Sequence, residues 1–485
     1  MNQKKSSKKE SFLKFSLKKE ILRAITDLGF NSPTPIQNKV IPHLMSSNQD
    51  LIASAQTGTG KTAAFGLPIL NAIDTTNSQV QTLILCPTRE LCIQITKDLS
   101  SYSKYLKSIN ILAVYGGVKI DKHFRSLKKK PQIVVGTPGR TKDLIKRKKL
   151  IVKNVGRLIL DEADEMLSMG FKDDLEFIIN GTSKEKQTLL FSATMTPKVI
   201  TVTKKYMHNS LEIAVSKVNR ANKNVQHLYY MVEAKHRYEV IKRIADMNPD
   251  IYGIVFCRTR KETKEVANKL MNDHYNADTI HGDLTQYERD DVMGRFRKRQ
   301  LQILVATDVA ARGLDVDDLT HVINYNLPDD DEIYIHRSGR TGRAGKQGIS
   351  LVIIHRRELR KLKGIEKTSG IFFTKKNVPN GIDICKKRLY TLIDKIEKVN
   401  VNEEQIGPFL PYIYEKLNWL DREQLIQHFV SAEFNRYLSY YKNSRDINAE
   451  AYTKEKTKNR KKMRNRNKFY NPRKKHRKNR RHRKK

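Results

Sequence analysis

Long hydrophobic runs are missing from this 485-residue chain: none approaches the ~18 apolar residues that a membrane-spanning helix needs. Cysteine is scarce too. The four, Cys86, Cys92, Cys257 and Cys385, form no CxxC pair, which excludes the common zinc and dithiol sites and fits a reduced, cytoplasmic compartment. Lys4, Lys5, Lys8 and Lys9 open the chain, but Lys14, Lys18 and Lys19 interrupt the next segment, so no apolar core of a signal peptide forms. The largest deficit is acid: 52 Asp and Glu stand against 93 Lys and Arg, a net charge of +41. Such an excess calls for a polyanionic partner, and without a membrane segment nucleic acid is favoured over a lipid surface.

The excess is uneven. Residues 454–485 hold nineteen Lys or Arg and one acid, Glu455, a local +18, which leaves +23 for the rest. From about residue 450 the Lys, Arg and Asn composition cannot bury enough surface to fold, and a disordered RNA-binding tail is expected over 450–485, with a merely solubilising tail as the alternative. A shorter basic tail covers residues 1–11. At roughly 150 residues per domain the length suggests about three domains.

Between Asp50 and Val215 short runs rich in Ile, Leu and Val alternate with helical patterns: DLIASA, TLILCPT, ILAVYGG, QIVVGTP, RLILDEAD, TLLFSAT and LEIAV. From about Val225 the rhythm repeats in YGIVFCRT, DTIHGDL, LQILVATDV, HVINYN and ISLVII. Buried strands separated by helices predict an α/β chain of two tandem parallel-sheet domains, over 12–215 and 225–370, joined by a polar linker at 216–224. Beyond residue 378 the period becomes helical. Leu389, Leu392, Ile393, Ile396 and Val399 share one face, Asp421 and Gln424 have capping-box spacing, and a helical region over 378–448 is expected.

Ala55-Gln56-Thr57-Gly58-Thr59-Gly60-Lys61-Thr62 lies between a strand and a helix, as a P-loop does, with Ala55 where the general pattern has Gly. Glycines let backbone N–H groups close around phosphates, Lys61 suits the β and γ oxygens of ATP, and the Thr62 hydroxyl suits Mg²⁺. RLIL runs into Asp161-Glu162-Ala163-Asp164, which places carboxylates at the carboxyl end of a strand, where open α/β sheets bind ligands. Asp161 is expected to hold the metal's water shell and Glu162 to take a proton from the attacking water.

That tetrad spells DEAD, and the chain resembles the DEAD-box family of ATP-dependent RNA helicases over roughly residues 12 to 360, closest to its bacterial cold-shock subgroup. The resemblance rests also on GFNSPTPIQ (29–37), PTREL (87–91), Gly116-Gly117, TPGR (137–140), SAT (192–194), VFCRTR (255–260), ATDVAARGLD (306–315) and HRSGRTGR (336–343). It implies two RecA-like domains and RNA-stimulated ATP hydrolysis that unwinds short RNA duplexes or remodels RNA–protein complexes. Gln37 would read adenine, with the backbone around Phe30 and Thr34. Phe12 would stack on the base, with Phe15 as rival and core packing as the plain alternative. Gly313 and Asp315 would approach the γ-phosphate and ribose. Arg340 and Arg343 would be arginine fingers. Ser192, Ala193, Thr194, Asp164 and His336 would couple hydrolysis to strand separation. The RNA path would be Thr88, Arg89, Gly117, Thr137, Gly139 and Arg140 in the first domain, with Arg258, Thr259, Gln286, Arg289 and Thr307 in the second.

For the helical region the resemblance implies a homodimer, against the alternative of packing on the second domain. It also suggests ribosome assembly, RNA decay or cold adaptation, with ribosomal or RNA-decay complexes as partners. A DNA translocase and a non-enzymatic RNA chaperone are the competing readings; the adenine-reading segment argues against the first, and the intact Lys61, Asp161, Glu162, Arg340 and Arg343 against the second.

Overall fold

The structure is a computed structural model that describes residues 11–55, 58–214, 224–311, 316, 319–342, 346–441 and 444–449. Gln56, Thr57, Gly313, Asp315, Arg343, nearly all of the expected linker and both basic tails, apart from Ser11, lie outside the described residues.

Seven strands form the first sheet: β1 (Leu51–Ser54), β2 (Thr82–Leu85), β3 (Ile111–Val114), β4 (Ile133–Gly136), β5 (Arg157–Leu160), β6 (Gln187–Ser192) and β7 (Leu211–Ala214). Their order is β3-β4-β2-β5-β6-β1-β7, and every neighbouring pair is parallel. A parallel sheet must be covered on both faces, which explains why these strands read as continuous apolar runs. Side chains alternate between two cores. Ile84, Ile159, Leu189 and Phe191 pack on one side with Phe65, while Leu83, Leu85, Leu158, Leu160 and Leu190 pack on the other with Met166. Because the strands run the same way, the segments after β1, β2, β4, β5 and β6 all emerge at one edge.

The second sheet comprises β8 (Val225–Met231), β9 (Gly253–Cys257), β10 (Ala277–Ile280), β11 (Ile303–Thr307), β12 (His321–Asn324), β13 (Gly348–Ile354) and β14 (Thr374–Lys376), in the order β10-β11-β9-β12-β13-β8-β14. Its pairs β10-β11, β11-β9 and β9-β12 are parallel. Two of these strands were absent from the apolar runs: β8 reads VQHLYYM, a mixed polar and aromatic segment, and β14 is wholly exposed, so neither carries an Ile, Leu and Val signal.

The chain divides into two compact units, one of Met1–Leu228, Asp250–Leu351 and Gly364–Phe373, the other of Tyr229–Pro249, Val352–Lys363 and Thr374–Lys485. In the second, the helices Gly381–Glu397, Glu403–Ile406, Leu410–Leu417 and Arg422–Tyr441 realise the expected helical region. Asp421 and Gln424 form the expected reciprocal cap: each backbone N–H donates to the other's side chain, at 3.1 and 2.7 Å. Within this unit the region is tied to the helix Arg237–Met247. Arg388 Nη2 donates to Asp246 Oδ1 at 2.8 Å, the Tyr441 hydroxyl donates to Asp246 Oδ2, and Arg243 Nη1 donates to the Pro379 carbonyl at 3.1 Å. The intramolecular packing considered above is therefore present, yet Ile393, Ile396, Phe409, Tyr412, Trp419 and Phe429 remain exposed.

Candidate functional site: a nucleotide pocket and an RNA path

At the carboxyl edge of β1 the chain turns through Gly58 and Gly60, at φ +77° and +86°, left-handed values that favour glycine, and enters the helix Lys61–Ala72. A Cβ on Gly60 would lie 2.5 Å from Gln37 Nε2 and would push that amide aside. The Gln37 amide fixes that approach: Nε2 donates to the Gly60 carbonyl at 3.1 Å, and Oε1 accepts from Thr34 N–H at 2.8 Å. One amide hydrogen and one lone pair remain for a base edge. Lys61 Nζ donates to the Ala55 carbonyl at 3.1 Å.

Phe12 and Phe15 sit on a short 3-10 helix, and both rings are buried. Phe12 lies 5.9 Å from each of Phe15 and Phe30, centroid to centroid. This is the core-packing arrangement, and the choice between the two rings for a stacking role loses its basis in exposure.

Asp161 directly follows β5 and is 3 % exposed. Burial pushes its carboxyl up to about 6 although Lys61 opposes the shift, so a cation held beside it would favour the ionised form. Glu162 adopts φ +52°, rare for a residue with a side chain, at the start of the helix Ala163–Ser168, and its N–H donates to Asp161 Oδ1 at 3.1 Å. Asp164 Oδ2 accepts from both the N–H and the hydroxyl of Thr194, each at 2.8 Å. The Ser192 hydroxyl donates to the Thr194 carbonyl at 2.6 Å, and Ala55 N–H donates to the Ser192 carbonyl at 3.1 Å, which ties the SAT segment to the loop. His336, from the second sheet's side, places Nδ1 3.2 Å from Glu165 Oε1 and Nε2 3.7 Å from Asp164 Oδ2. The carboxylate motif, SAT and His336 are thus one cluster, as the spacing of motifs alone could not show.

The glycine cradle, the lysine and the buried carboxylate fit a nucleotide with a divalent cation. No group of three His, Cys, Asp or Glu suited to holding a metal by side chains alone occurs among the described residues.

Arg337, one of three guanidiniums in HRSGRTGR, serves the fold. It is 3 % exposed, forks onto Asp308 at 2.5 and 2.8 Å, and Nη1 donates to Asn324 Oδ1 and the Asn326 carbonyl at 2.9 and 3.0 Å. Arg340 is buried in the adjoining turn.

The expected RNA-path residues cluster at the same sheet edges. Thr88 Oγ caps the helix Arg89–Tyr102 by accepting from Leu91 N–H. The Arg89 guanidinium lies 4.8 Å from the Tyr115 ring centroid and Nη2 reaches Asp290 at 3.1 Å, while its Nε and Nη1 are buried without a hydrogen bond. Gly117 is left-handed at φ +81°, Thr137 stands at the N-cap position of the helix Pro138–Lys146, which carries Gly139, without a side-chain capping bond, and Arg140 Nη2 donates to the Val118 carbonyl at 3.1 Å. In the second set Arg258 contacts Asp329 at 3.2 Å, Thr259 caps Arg260–Asn272 and the Thr307 hydroxyl accepts from Ala310 N–H. Gln286 donates to Asp290 at 2.9 Å, and Arg289 approaches Glu90 at 3.5 Å. Glu90 and Asp290, missed in the sequence, pair with arginines of the opposite set. The signal was there for Asp290, since Gln286, Arg289 and Asp290 stand at i, i+3 and i+4 on one helix face.

Comparison with known proteins agrees with this geometry. The DEAD/DEAH box helicase family matches residues 34–202, the helicase conserved C-terminal domain matches 236–345, and the family described as "Probable ATP-dependent RNA helicase, helical domain" matches 384–442. The chain is 42% identical over 410 residues to the ATP-dependent RNA helicase CshA of Listeria monocytogenes, covering 84% of this chain and 78% of the relative. It is 44% identical over 359 residues to the DEAD-box ATP-dependent RNA helicase CshA of Geobacillus kaustophilus, covering 74% and 76%. Among solved structures it is similar to S. cerevisiae Dbp5 bound to RNA and ADP BeF3, with TM-score 0.70, 29% identity and coverage of 78% and 100%. It is also similar to Mss116p bound to ssRNA and AMP-PNP, with TM-score 0.69, 30% identity and coverage of 90% and 93%. With two such sheets, a phosphate loop facing the DEAD carboxylates and relatives of this identity, the chain belongs to the DEAD-box family of ATP-dependent RNA helicases, which are RNA-dependent ATPases.

Proposed function

We propose that this helicase closes its two RecA-like domains on ATP and RNA to open short duplexes or remodel RNA–protein complexes, and that hydrolysis releases them. The observation that carries the reading is the Asp164, Thr194 and His336 cluster, which places a residue of the second motif set against the carboxylates that come after β5. In that reading Gln37 and the backbone around Phe30 and Thr34 select adenine, while Lys61 and the loop from Ala55 to Thr62 bind phosphates. Bound through Thr62 and Asp161, Mg²⁺ would supply charge neutralisation at the phosphate oxygens. Glu162 takes a proton from water, Arg340 and Arg343 neutralise developing charge, and Gly313 and Asp315 complete the ribose and γ-phosphate end.

RNA is held without base reading, by hydroxyls, glycine N–H groups and guanidiniums, so binding tolerates sequence. The tail over 454–485 adds electrostatic tethering. Ribosome assembly, RNA decay or cold adaptation in the cytoplasm is the proposed setting.

Phosphate release with ATP or GTP, with and without RNA, tests this reading. ATP should be used only with RNA and in preference to GTP; Gln37→Ala should raise the ATP KM about tenfold and blur that preference, given one or two lost hydrogen bonds. Wild-type turnover of GTP equal to that of ATP would contradict the adenine assignment.

We take the exposed Ile393, Ile396, Phe409, Tyr412, Trp419 and Phe429 as the side chains that a homodimer through the helical region would cover. Light scattering should give twice the chain mass for the full chain and a monomer for a chain ending at residue 377. Monomers for both would end the dimer reading.

A further inference from the structure

His123 is the buried histidine of the helix Ile120–Leu127, a face otherwise built from apolar residues, and it is 4 % exposed. Its Nδ1 lies 3.0 Å from Arg140 Nη1. A guanidinium can only donate, so Nδ1 accepts and the proton sits on Nε2; the 3.5 Å approach of Tyr115 N to Nε2 is then a contact and not a hydrogen bond. Burial, with Arg140 and Lys122 nearby, pushes the imidazole down to about 4, which keeps the ring neutral and its lone pair available. The rings of His123 and Tyr115 meet edge to face, with centroids 5.7 Å apart and planes at 88°. Tyr115 in turn lies under the Arg89 guanidinium, 4.8 Å from its ring centroid. Tyr115 directly succeeds β3 and precedes Gly116-Gly117, so four segments converge here: the helix starting at Arg89, the end of β3, the helix of His123, and the helix carrying Arg140.

We propose that Tyr115 and His123 form a positioning pair for the RNA path: the tyrosine ring carries Arg89, the imidazole fixes Arg140, and edge contact between the two rings presents both guanidiniums to the RNA backbone as one unit. The inference rests on the RNA assignment of Arg89 and Arg140 proposed above and adds residues that no motif contains. The chemistry is that of preorganisation. An arginine held by the His123 lone pair and by the Val118 carbonyl loses little rotamer freedom when it meets a phosphate, and Arg89, held in plane against the Tyr115 ring while Nη2 reaches Asp290, is likewise fixed before a phosphate takes the place of that carboxylate. Neither Tyr115 nor His123 needs to touch RNA.

The test uses the full chain and reads RNA half-saturation of ATP hydrolysis. Losing a hydrogen bond to a charged group, His123→Leu should raise that concentration roughly tenfold while the ATP KM at saturating RNA stays unchanged. His123→Gln, whose Oε1 can accept from Arg140, should remain within about twofold of the wild type. In an Arg140→Ala background, His123→Leu should have no further effect, because residues that act through one another are not additive. Tyr115→Leu should likewise add nothing to Arg89→Ala. Additive losses in either cycle, or a Gln variant as impaired as the Leu variant, would overturn the proposal by showing that the rings only fill the core. Wild-type half-saturation in Arg140→Ala would overturn the RNA assignment of Arg140 and the inference with it, an outcome the cycles distinguish from the first.

Discussion

Glu162→Gln should reduce RNA-stimulated ATP turnover by about 10²- to 10⁴-fold, the range that general-base catalysis contributes, while ATP and RNA bind nearly as before. Glutamine keeps the shape and the backbone, including the left-handed φ and the N–H bond to Asp161, but its amide cannot take a proton from water. Single-turnover phosphate release and RNA binding by fluorescence anisotropy separate the two effects. A variant that hydrolyses at the wild-type rate would remove Glu162 from the mechanism, and one that fails to bind ATP would make its role structural. Lys61 differs, since its charge is there to hold phosphate and its loss should appear first in nucleotide affinity.

Arg337→Ala should destabilise the second domain by about 3–5 kcal/mol, the usual cost of removing one partner from a buried hydrogen-bonded pair. Three acceptors would lose their donor at once: the Asp308 carboxylate, Asn324 Oδ1 and the Asn326 carbonyl. The aromatic face of Phe256, 4.9 Å from the guanidinium, would lose its cover. For a domain of this size a loss of that order lowers the melting temperature by about 10 °C. Arg337→Lys should recover only part, because an ammonium cannot reproduce the bidentate fork on Asp308. Melting followed by circular dichroism decides the point. Wild-type melting with lost ATPase activity would mean that Arg337 contacts ligand and not its own domain.

The range of an interaction along the chain decides whether the sequence reveals it. Strands such as TLILCPT and RLILDEAD were legible because burial on both faces forces continuous apolar runs, and the glycine-rich turn ending in lysine was legible because its chemistry is local. The cap between Asp421 and Gln424 was legible for the same reason, its partners standing three residues apart. Arg337 looked like its neighbours in HRSGRTGR since its partner Asp308 is 29 residues away, and nothing local distinguishes an anchoring guanidinium from a catalytic one. Phe12 is the converse case: the resemblance left stacking on adenine and core packing both open, and the packing became visible only through its contacts with Phe15 and Phe30. His123 was silent because a lone histidine on an apolar helix face has no period or spacing to mark it. The exposed edge strand β14 gave no signal at all.

The central claim is that a site divided between two domains is completed by ATP and RNA together. The most direct measurement is the distance between fluorophores on the two domains, attached to cysteines introduced at exposed Lys128 and Lys298 in the Glu162→Gln chain, with half-buried Cys385 replaced by serine; Cys86, Cys92 and Cys257 are buried. The account predicts that transfer efficiency changes only when ATP and RNA are both present, and that ATP alone or RNA alone leaves it where it was. The same efficiency under all four conditions, or a full change with ATP alone, would contradict it.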